Sequence, residues 1–371
     1  MTLQRISKLQ ELQHAHSINY VALVPGANLV YFTGLHMHLS ERPIVALFSA
    51  QAEQQPILIA PFFEVGKAQS GPVQLNWKIH SYKDGVPYQS AFDEAAASNG
   101  LREKTFGVEP TQMRVLEWNL LARATGLPKQ ADAAVLIEQL RMRKDTDEIA
   151  KMKRAMVLSE EALQATLPKV QAGMTEREVA TILVSEMQQR GAHSMAFSPL
   201  IQSGLSATNP HGGAGNRVLQ NGDLMVMDFG MTLDDYSSDI TRTVAIGQPS
   251  EALRHIYEVV KLANAAGRAA AKPGVAAQEV DRAARAVIEE AGLGEYFTHR
   301  TGHGLGLEGH EAPYMVEGNT LVLQPGMTFT VEPGIYIPGQ GGVRIEDDVV
   351  ITETGCESLT TFTRDLLVVG V

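Results

Sequence analysis

The sequence predicts an α/β protein of two domains, and three observations carry that prediction. Its 371 residues exceed the roughly 250–300 at which a single hydrophobic core stops growing. Its first third alternates short apolar runs with polar helical stretches. Its remainder repeats itself, each time in the order helix and then strands.

The elements follow in chain order. Residues 18–130 hold the β-like runs NYVALV, PIVALF, QPILIA and WKIHSY, interleaved with helical stretches such as QMRVLEWNLLARATG, which reads as a small α/β domain. From about Lys144 the texture changes to long amphipathic helices. Ile149, Met152, Met156 and Leu163 follow the i, i+3, i+4 rhythm of one buried face. A boundary near 130–140 divides an N-terminal domain, 1–135, from a second domain, 136–371.

Inside the second domain GMTEREVATILVSEMQQRG (173–191) aligns without a gap on GVAAQEVDRAARAVIEEAG (274–292). Both read as helices closed by a C-terminal glycine, and the first carries a capping box, Thr175 with Glu178. Further on, GDLMVMDFG (222–230) aligns with GMTFTVEPG (326–334), setting Asp228 over Glu332, and Asp239 falls over Glu346. The offset drifts from 101 to 104 to 107, as it does when loops differ in length between two related halves. A pseudo-twofold domain is expected.

Those four acids sit in apolar, β-like surroundings: LMVMDFG, SSDITRTVAI, FTVEPGIYI and VRIEDDVVI. A carboxylate buried there pays heavily unless it is paired or bound to metal. If all four converge, their repulsion demands cations, and two divalent ions supply +4 against −4. The stretch TGHGLGLEGHEAPY (301–314) offers the imidazole that completes the set. His303 is chosen as the ligand because its flanking glycines let backbone approach closely, and His310 and His211, in NPHGG, are left for a substrate. An oxygen-rich set of this kind suits Mn²⁺, with Co²⁺ or Zn²⁺ also able to bind.

Composition excludes other classes. With 44% hydrophobic and 20% charged residues the chain is ordinary for a globular protein. A formal net charge of −11 leaves no basic footprint for nucleic acid. No stretch approaches the ~18 apolar residues of a membrane span, and MTLQRISKLQELQHAHSINY lacks the apolar core of a signal peptide. The single cysteine, Cys356, excludes an intrachain disulfide and fits a reducing compartment. A cytoplasmic protein with no nucleic-acid or membrane partner is expected.

Together these residues resemble the pita-bread metallopeptidases, the family of methionine aminopeptidase, aminopeptidase P and prolidase. The resemblance covers essentially the whole chain and implies a pita-bread catalytic domain preceded by a smaller creatinase/prolidase-type N-terminal α/β domain. It implies that Asp228 binds one metal, that Asp239 and Glu346 bridge both, and that His303 and Glu332 hold the second. His211 and His310 fall on the family's substrate-facing histidines, and Glu332 on its proton shuttle. The chemistry implied is attack on a peptide carbonyl by a metal-bridging hydroxide, with histidine donors for the oxyanion.

The reading this favours is hydrolysis of Xaa-Pro dipeptides, as in prolidase; the alternative is an Xaa-Pro aminopeptidase, as in aminopeptidase P, acting on longer peptides. Some prolidases carry an arginine four residues after the second motif histidine, where this chain has Tyr314. A replacement to hold the dipeptide carboxylate is sought in Arg344, or in His38 and Arg42 of HMHLSERP (36–43), a loop that related enzymes lend across a dimer. A homodimer is therefore expected. Arg344, two residues before Glu346 on a strand, either orders that acid or reaches substrate. Phe197 is either a core aromatic or part of a proline-side pocket. Asp235 and Asp347 read as solvent or turn acids. A catalytically inactive pita-bread protein that binds peptide or a protein partner is disfavoured, since such relatives lose ligands and all five persist here. Creatinase-like amidinohydrolysis is disfavoured because that branch does without the metal set.

Overall fold

The apolar runs of the first third pair into one six-stranded sheet. Its strands are β1 (Tyr20–Leu23), β2 (Val45–Ser49), β3 (Ile57–Pro61), β4 (Lys78–Tyr82), β5 (Thr105–Val108) and β6 (Lys129–Asp132), in the order β4-β3-β2-β1-β5-β6. β1–β2 and β2–β3 are antiparallel, and the outer pairings are parallel. Every residue of β1, β2 and β3 is buried. Strands covered on both faces read as continuous apolar runs rather than as alternation, which is how these appear in the sequence. The connecting helices are α1 (Thr2–Ala15), α2 (Ala27–Thr33), α3 (Val65–Gln69), α4 (Gln89–Asn99), α5 (Val115–Thr125) and α6 (Ala134–Arg141). Phe92 and Ala95 of α4 and Leu121 of α5 close one core with Tyr20, Val45, Leu47 and Ile59.

The computed structural model describes residues 2–73 and 75–370 and divides into two compact units, Met1–Arg141 and Met142–Val371. In the second unit the predicted repeat is an architectural one. The first half runs α7 (Thr146–Thr166), α8 (Glu176–Gln189), β7 (Ser194–Met195), β8 (Leu200–Ser203), β9 (Leu224–Phe229), β10 (Met231–Leu233), β11 (Tyr236–Ser237) and β12 (Ile240–Ile246). The second runs α9 (Glu251–Ala270), α10 (Ala277–Glu290), β13 (Gly302–Gly304), β14 (Glu311–Met315), β15 (Thr328–Val331), β16 (Gly334–Ile337), β17 (Gly341–Arg344) and β18 (Asp347–Ile351), followed by β19 (Cys356–Ser358) and β20 (Val368–Val369).

α7 and α8 pack on the sheet of the first half and α10 on that of the second, while α9 buries Ile256 and Tyr257 in a cluster with residues of both halves. Met156 and Leu163 of α7 and Val179, Leu183 and Met187 of α8 bury against Met225, Met227 and Phe229 of β9. Val280 of α10 buries against Phe329 and Val331 of β15. The capping box at Thr175 and Glu178 forms as its sequence predicts, and left-handed Gly191 and Gly292 follow the ends of α8 and α10. The sheets run β20-β12-β9-β8 and β14-β13-β15-β18-β19. Asp228 and Asp239 thus belong to the β9–β12 hairpin, and Glu332 and Glu346 to the ends of β15 and β18. Among the described residues no helix is long and apolar enough to cross a membrane.

Candidate metal centre

Strand alternation places the first acid. Met225, Met227 and Phe229 of β9 face the helices, so Asp228 projects from the opposite face, in register with Thr241 of β12 and Leu200 of β8. Asp239 lies just before β12, Glu332 just after β15, and Glu346 between β17 and β18. Glu332 N donates to Thr301 O at 2.8 Å and Glu346 N to Thr241 O at 3.1 Å, so two of the acids are held by backbone bonds to neighbouring segments.

His303 arrives on β13, between β14 and β15. A Cβ at Gly302 would lie 1.8 Å from Thr330 O and one at Gly304 2.2 Å from Ala312 O. The flanking glycines therefore serve to let β13 fit between its sheet neighbours, and the histidine reaches the acids as a consequence. Nδ1 of His303 lies 3.1 Å from Gly304 O, and donating there leaves Nε2 as a lone pair. That atom lies 3.3 Å from Glu332 and 3.8 Å from Asp239.

All five predicted ligands, and His211 and His310, predicted to face a substrate, line one cavity of about 650 Å³, together with Phe197, Arg344, Leu200, Pro210, His299 and Arg300. Three overlapping groups bring their ligand atoms within 4.8 Å of one another: Asp228, Asp239 and Glu346; His303, Glu332 and Glu346; and Asp239, His303 and His310. His303 is buried, whereas His211 and His310 are exposed.

The electrostatics are those of a crowded, desolvated carboxylate cluster. Burial, then Glu346 and Asp228, hold Asp239 well above the usual carboxylate range. Glu346 is raised by burial and by Glu332 and Asp228. Burial lifts Glu332 to about 7, with Arg344 opposing and Asp228 adding. Burial and His310 push His303 down to about 3, so its ring is neutral. Among the described residues, Oδ1 of Asp228 and Oδ1 of Asp239 are buried without a hydrogen-bond donor, which a protein normally avoids. Neutral imidazole, crowded acids and orphaned oxygens are the donor set of divalent cations, and these residues fit a pair of them.

The surrounding residues divide differently from the sequence reading. Arg344 is buried and donates to Asp228 Oδ2 at 2.5 Å, to Tyr336 Oη at 2.7 Å and to Thr241 Oγ1 at 3.1 Å. Its charge is thus paired with Asp228 rather than with Glu346, while its side chain still lines the cavity. Thr241 donates to Glu346 at 2.5 Å, and Thr330 to Glu332 at 3.1 Å. Asp347 is a correction: it is fully buried and pairs with Arg242, Arg268 and Arg364, charges from distant segments that make a buried acid tolerable. Asp235 does occupy a turn, with φ of 72°.

Tyr314 lies on β14 under the guanidinium of Arg300, 4.5 Å from the ring centroid. His38 and Arg42 belong to the first unit. There Arg42 is tied to Asp84 by two bonds of 2.9 Å and to Glu41, while His38 is exposed. Sequence reasoning passed over Arg300, His299 and Asp348, although Arg300 stands three residues before His303. Asp348 accepts from Asp239 N at 3.0 Å.

Comparison with known proteins agrees with this architecture. The model of metallopeptidase family M24 matches residues 150–353, and that of the creatinase/prolidase N-terminal domain residues 5–143. The chain is 34% identical to an Xaa-Pro dipeptidase of Lactobacillus helveticus, over 99% of each chain. It superposes on an Xaa-Pro dipeptidase from Bacillus anthracis with a TM-score of 0.90 at 33% identity, over 100% of both. It is also similar to an X-Pro aminopeptidase from Thermotoga maritima, with a TM-score of 0.86 at 34% identity, over 98% of this chain and 99% of that one.

Proposed function

Since the chain belongs to metallopeptidase family M24 and joins a pita-bread domain to a creatinase/prolidase N-terminal domain, we propose that it hydrolyses the Xaa-Pro bond of dipeptides. The observation that carries this reading is the convergence of four acids and a neutral histidine on one cavity with two further histidines on its wall. Full-length similarity to Xaa-Pro dipeptidases supports the substrate class.

In this reading Asp228, Asp239, His303, Glu332 and Glu346 hold two divalent ions, Mn²⁺ being favoured by the carboxylate-rich set over Co²⁺ or Zn²⁺. The ions supply an activated water and a Lewis acid for the carbonyl. The neutral His303 ring, fixed through Nδ1, presents Nε2 to its ion. Arg344 orients Asp228, and Thr241 orients Glu346. Glu332 takes the proton of the attacking water and delivers it to the proline nitrogen, which has no hydrogen of its own in an imide. His211 and His310 donate to the carbonyl oxygen as negative charge develops there.

A dipeptidase must also capture a carboxylate directly after proline. Arg42 and Arg344 are already engaged by Asp84 and Asp228. Arg300 lines the cavity and is held by an aromatic face and an imidazole, with no carboxylate paired to it among the described residues. We assign the carboxylate to Arg300, standing over the Tyr314 that occupies the place of the arginine some prolidases carry. The second reading, an Xaa-Pro aminopeptidase, is favoured by that missing arginine and by the likeness to the Thermotoga enzyme. A homodimer in which residues 36–43 of one subunit limit the channel of the other completes the proposal.

Incubating the Mn²⁺-loaded protein with Xaa-Pro and Xaa-Pro-Yaa of matched Xaa tests it. The dipeptide is expected to be cleaved with the higher kcat/KM, and a clear preference for the tripeptide overturns the dipeptidase reading in favour of the aminopeptidase.

A further inference from the structure

Glu176 is the first residue of α8 and only 1% exposed. An acid at that position favours the helix dipole, which explains an exposed glutamate but not a buried one. Its carboxylate is instead spent on a loop. Oε1 accepts from Ser203 N at 2.8 Å, from Ser203 Oγ at 2.9 Å and from Ser206 Oγ; Oε2 accepts from Gly215 N at 3.0 Å. One side chain therefore ties together both ends of the segment 203–215. Backbone bonds lock the far end as well, Glu176 N to Arg217 O at 3.1 Å and Arg177 N to Gly215 O at 3.0 Å.

Between those ends stands His211. It is exposed on the cavity wall beside Pro210, and its own anchorage is light: its backbone N donates to Asn209 Oδ1 at 3.1 Å, and Pro210 O receives Arg344 at 3.5 Å. The other half of the repeat shows that the acid is no general requirement of such a helix. The position aligned with Glu176 is Ala277 in α10, and in that half a different buried acid of the same helix, Asp281, accepts from Thr301 N and Oγ1 instead.

We propose that Glu176 is a positioning residue for His211, closing the 203–215 loop so that the imidazole is presented to the substrate, and that it affects the reaction only through that histidine. This rests on the reading of His211 as a substrate-side residue. Charge-assisted hydrogen bonds to a buried carboxylate are among the stronger ones, and a misplaced catalytic donor costs rate even where binding and fold survive.

The experiment is a double-mutant cycle of Glu176→Gln and His211→Ala in the Mn²⁺-loaded full chain, with kcat and KM on an Xaa-Pro dipeptide, metal content, and hydrogen exchange by mass spectrometry. The amide of glutamine turns one of the two acceptor atoms into a donor facing donors. Faster exchange confined to 203–215, unchanged metal content and a kcat lowered about tenfold, with that loss absent in the His211→Ala background, is the expected pattern. Ser206→Ala, which removes one of the bonds and leaves the carboxylate in place, should shift exchange and kcat in the same direction by less, and serves if Glu176→Gln does not fold. Unchanged exchange overturns the proposal, and so does a Glu176→Gln loss that persists in full without His211. If His211→Ala is as active as the parent while 203–215 still loosens in Glu176→Gln, the substrate role of His211 fails, and the catalytic part of the proposal fails with it.

Discussion

The guanidinium of Arg300 stacks on the ring of Tyr314, 4.5 Å from its centroid, in the wall of the carboxylate-lined cavity. A cation held by an aromatic face keeps its donors available to an incoming anion. Replacing Arg300 by Ala is expected to lower kcat/KM for Xaa-Pro by about 1.5–3 kcal/mol, the worth of a charge-assisted hydrogen bond. Xaa-Pro-Yaa, whose carboxylate lies one residue further on, should lose less. Equal losses on the two substrates would move the clamp elsewhere.

The cluster repels itself when no cation is present, so removing a charge should help the metal-free protein. Asp239→Asn is expected to melt at or above the parent's temperature in chelator, because it relieves a buried acid crowded by Glu346 and Asp228. It should also lose the stabilisation that the parent gains on adding Mn²⁺, about 2.7 kcal/mol at a hundredfold excess over Kd. A chelated variant that melts well below the parent would contradict the crowding argument.

His310 is exposed where His303 is buried, yet the two rings lie 3.8 Å apart. With His310 on the substrate, His310→Ala should keep two metal equivalents per chain and lose about a hundredfold in kcat, the scale of one oxyanion donor. Elemental analysis of the purified variant decides the matter, since loss of an equivalent would make His310 a ligand.

His299 sets a pH dependence whose sign can be worked out. Burial, then the charge of Arg344, lower its pKa to about 4, while an unfolded chain titrates near 6.5. The unfolded state therefore takes up the proton first as pH falls, and the contribution of neutral His299, present above about 6.5, is lost between there and about 4. The difference in melting temperature between the parent and His299→Gln should narrow over that window. A difference constant from pH 7 to 4 would refute the assignment.

Phe62 and Phe63 are 58% and 62% exposed, with Lys83 over one ring and Arg42 over the other. Adjacent exposed aromatics beside the 36–43 segment are what a subunit contact would cover. Light scattering is expected to give a dimer for the parent and a monomer for Phe62→Ser/Phe63→Ser. A parent that is monomeric and fully active removes the dimer from the proposal.

Much of the site was legible in the chain because its signals are local. An acid amid apolar strand residues is conspicuous wherever it occurs, and the repeat showed that Asp228 and Glu332, and Asp239 and Glu346, occur twice in equivalent places. Covered strands read as apolar runs and capped helices as periodic ones, so the two kinds of domain could be told apart by residue order alone. What tertiary structure decided are the partners. Asp347 looks like a neighbour of Glu346 in a turn, and only the fold brings Arg242, Arg268 and Arg364 to it. Arg344 shares a strand face with Glu346, but its charge is claimed by Asp228, 116 residues away. By its position Glu176 is an ordinary first-turn acid until Ser203 and Gly215 close on it. A residue type and its spacing report its own cost of burial; which distant group meets that cost depends on how strands and loops are brought together in three dimensions.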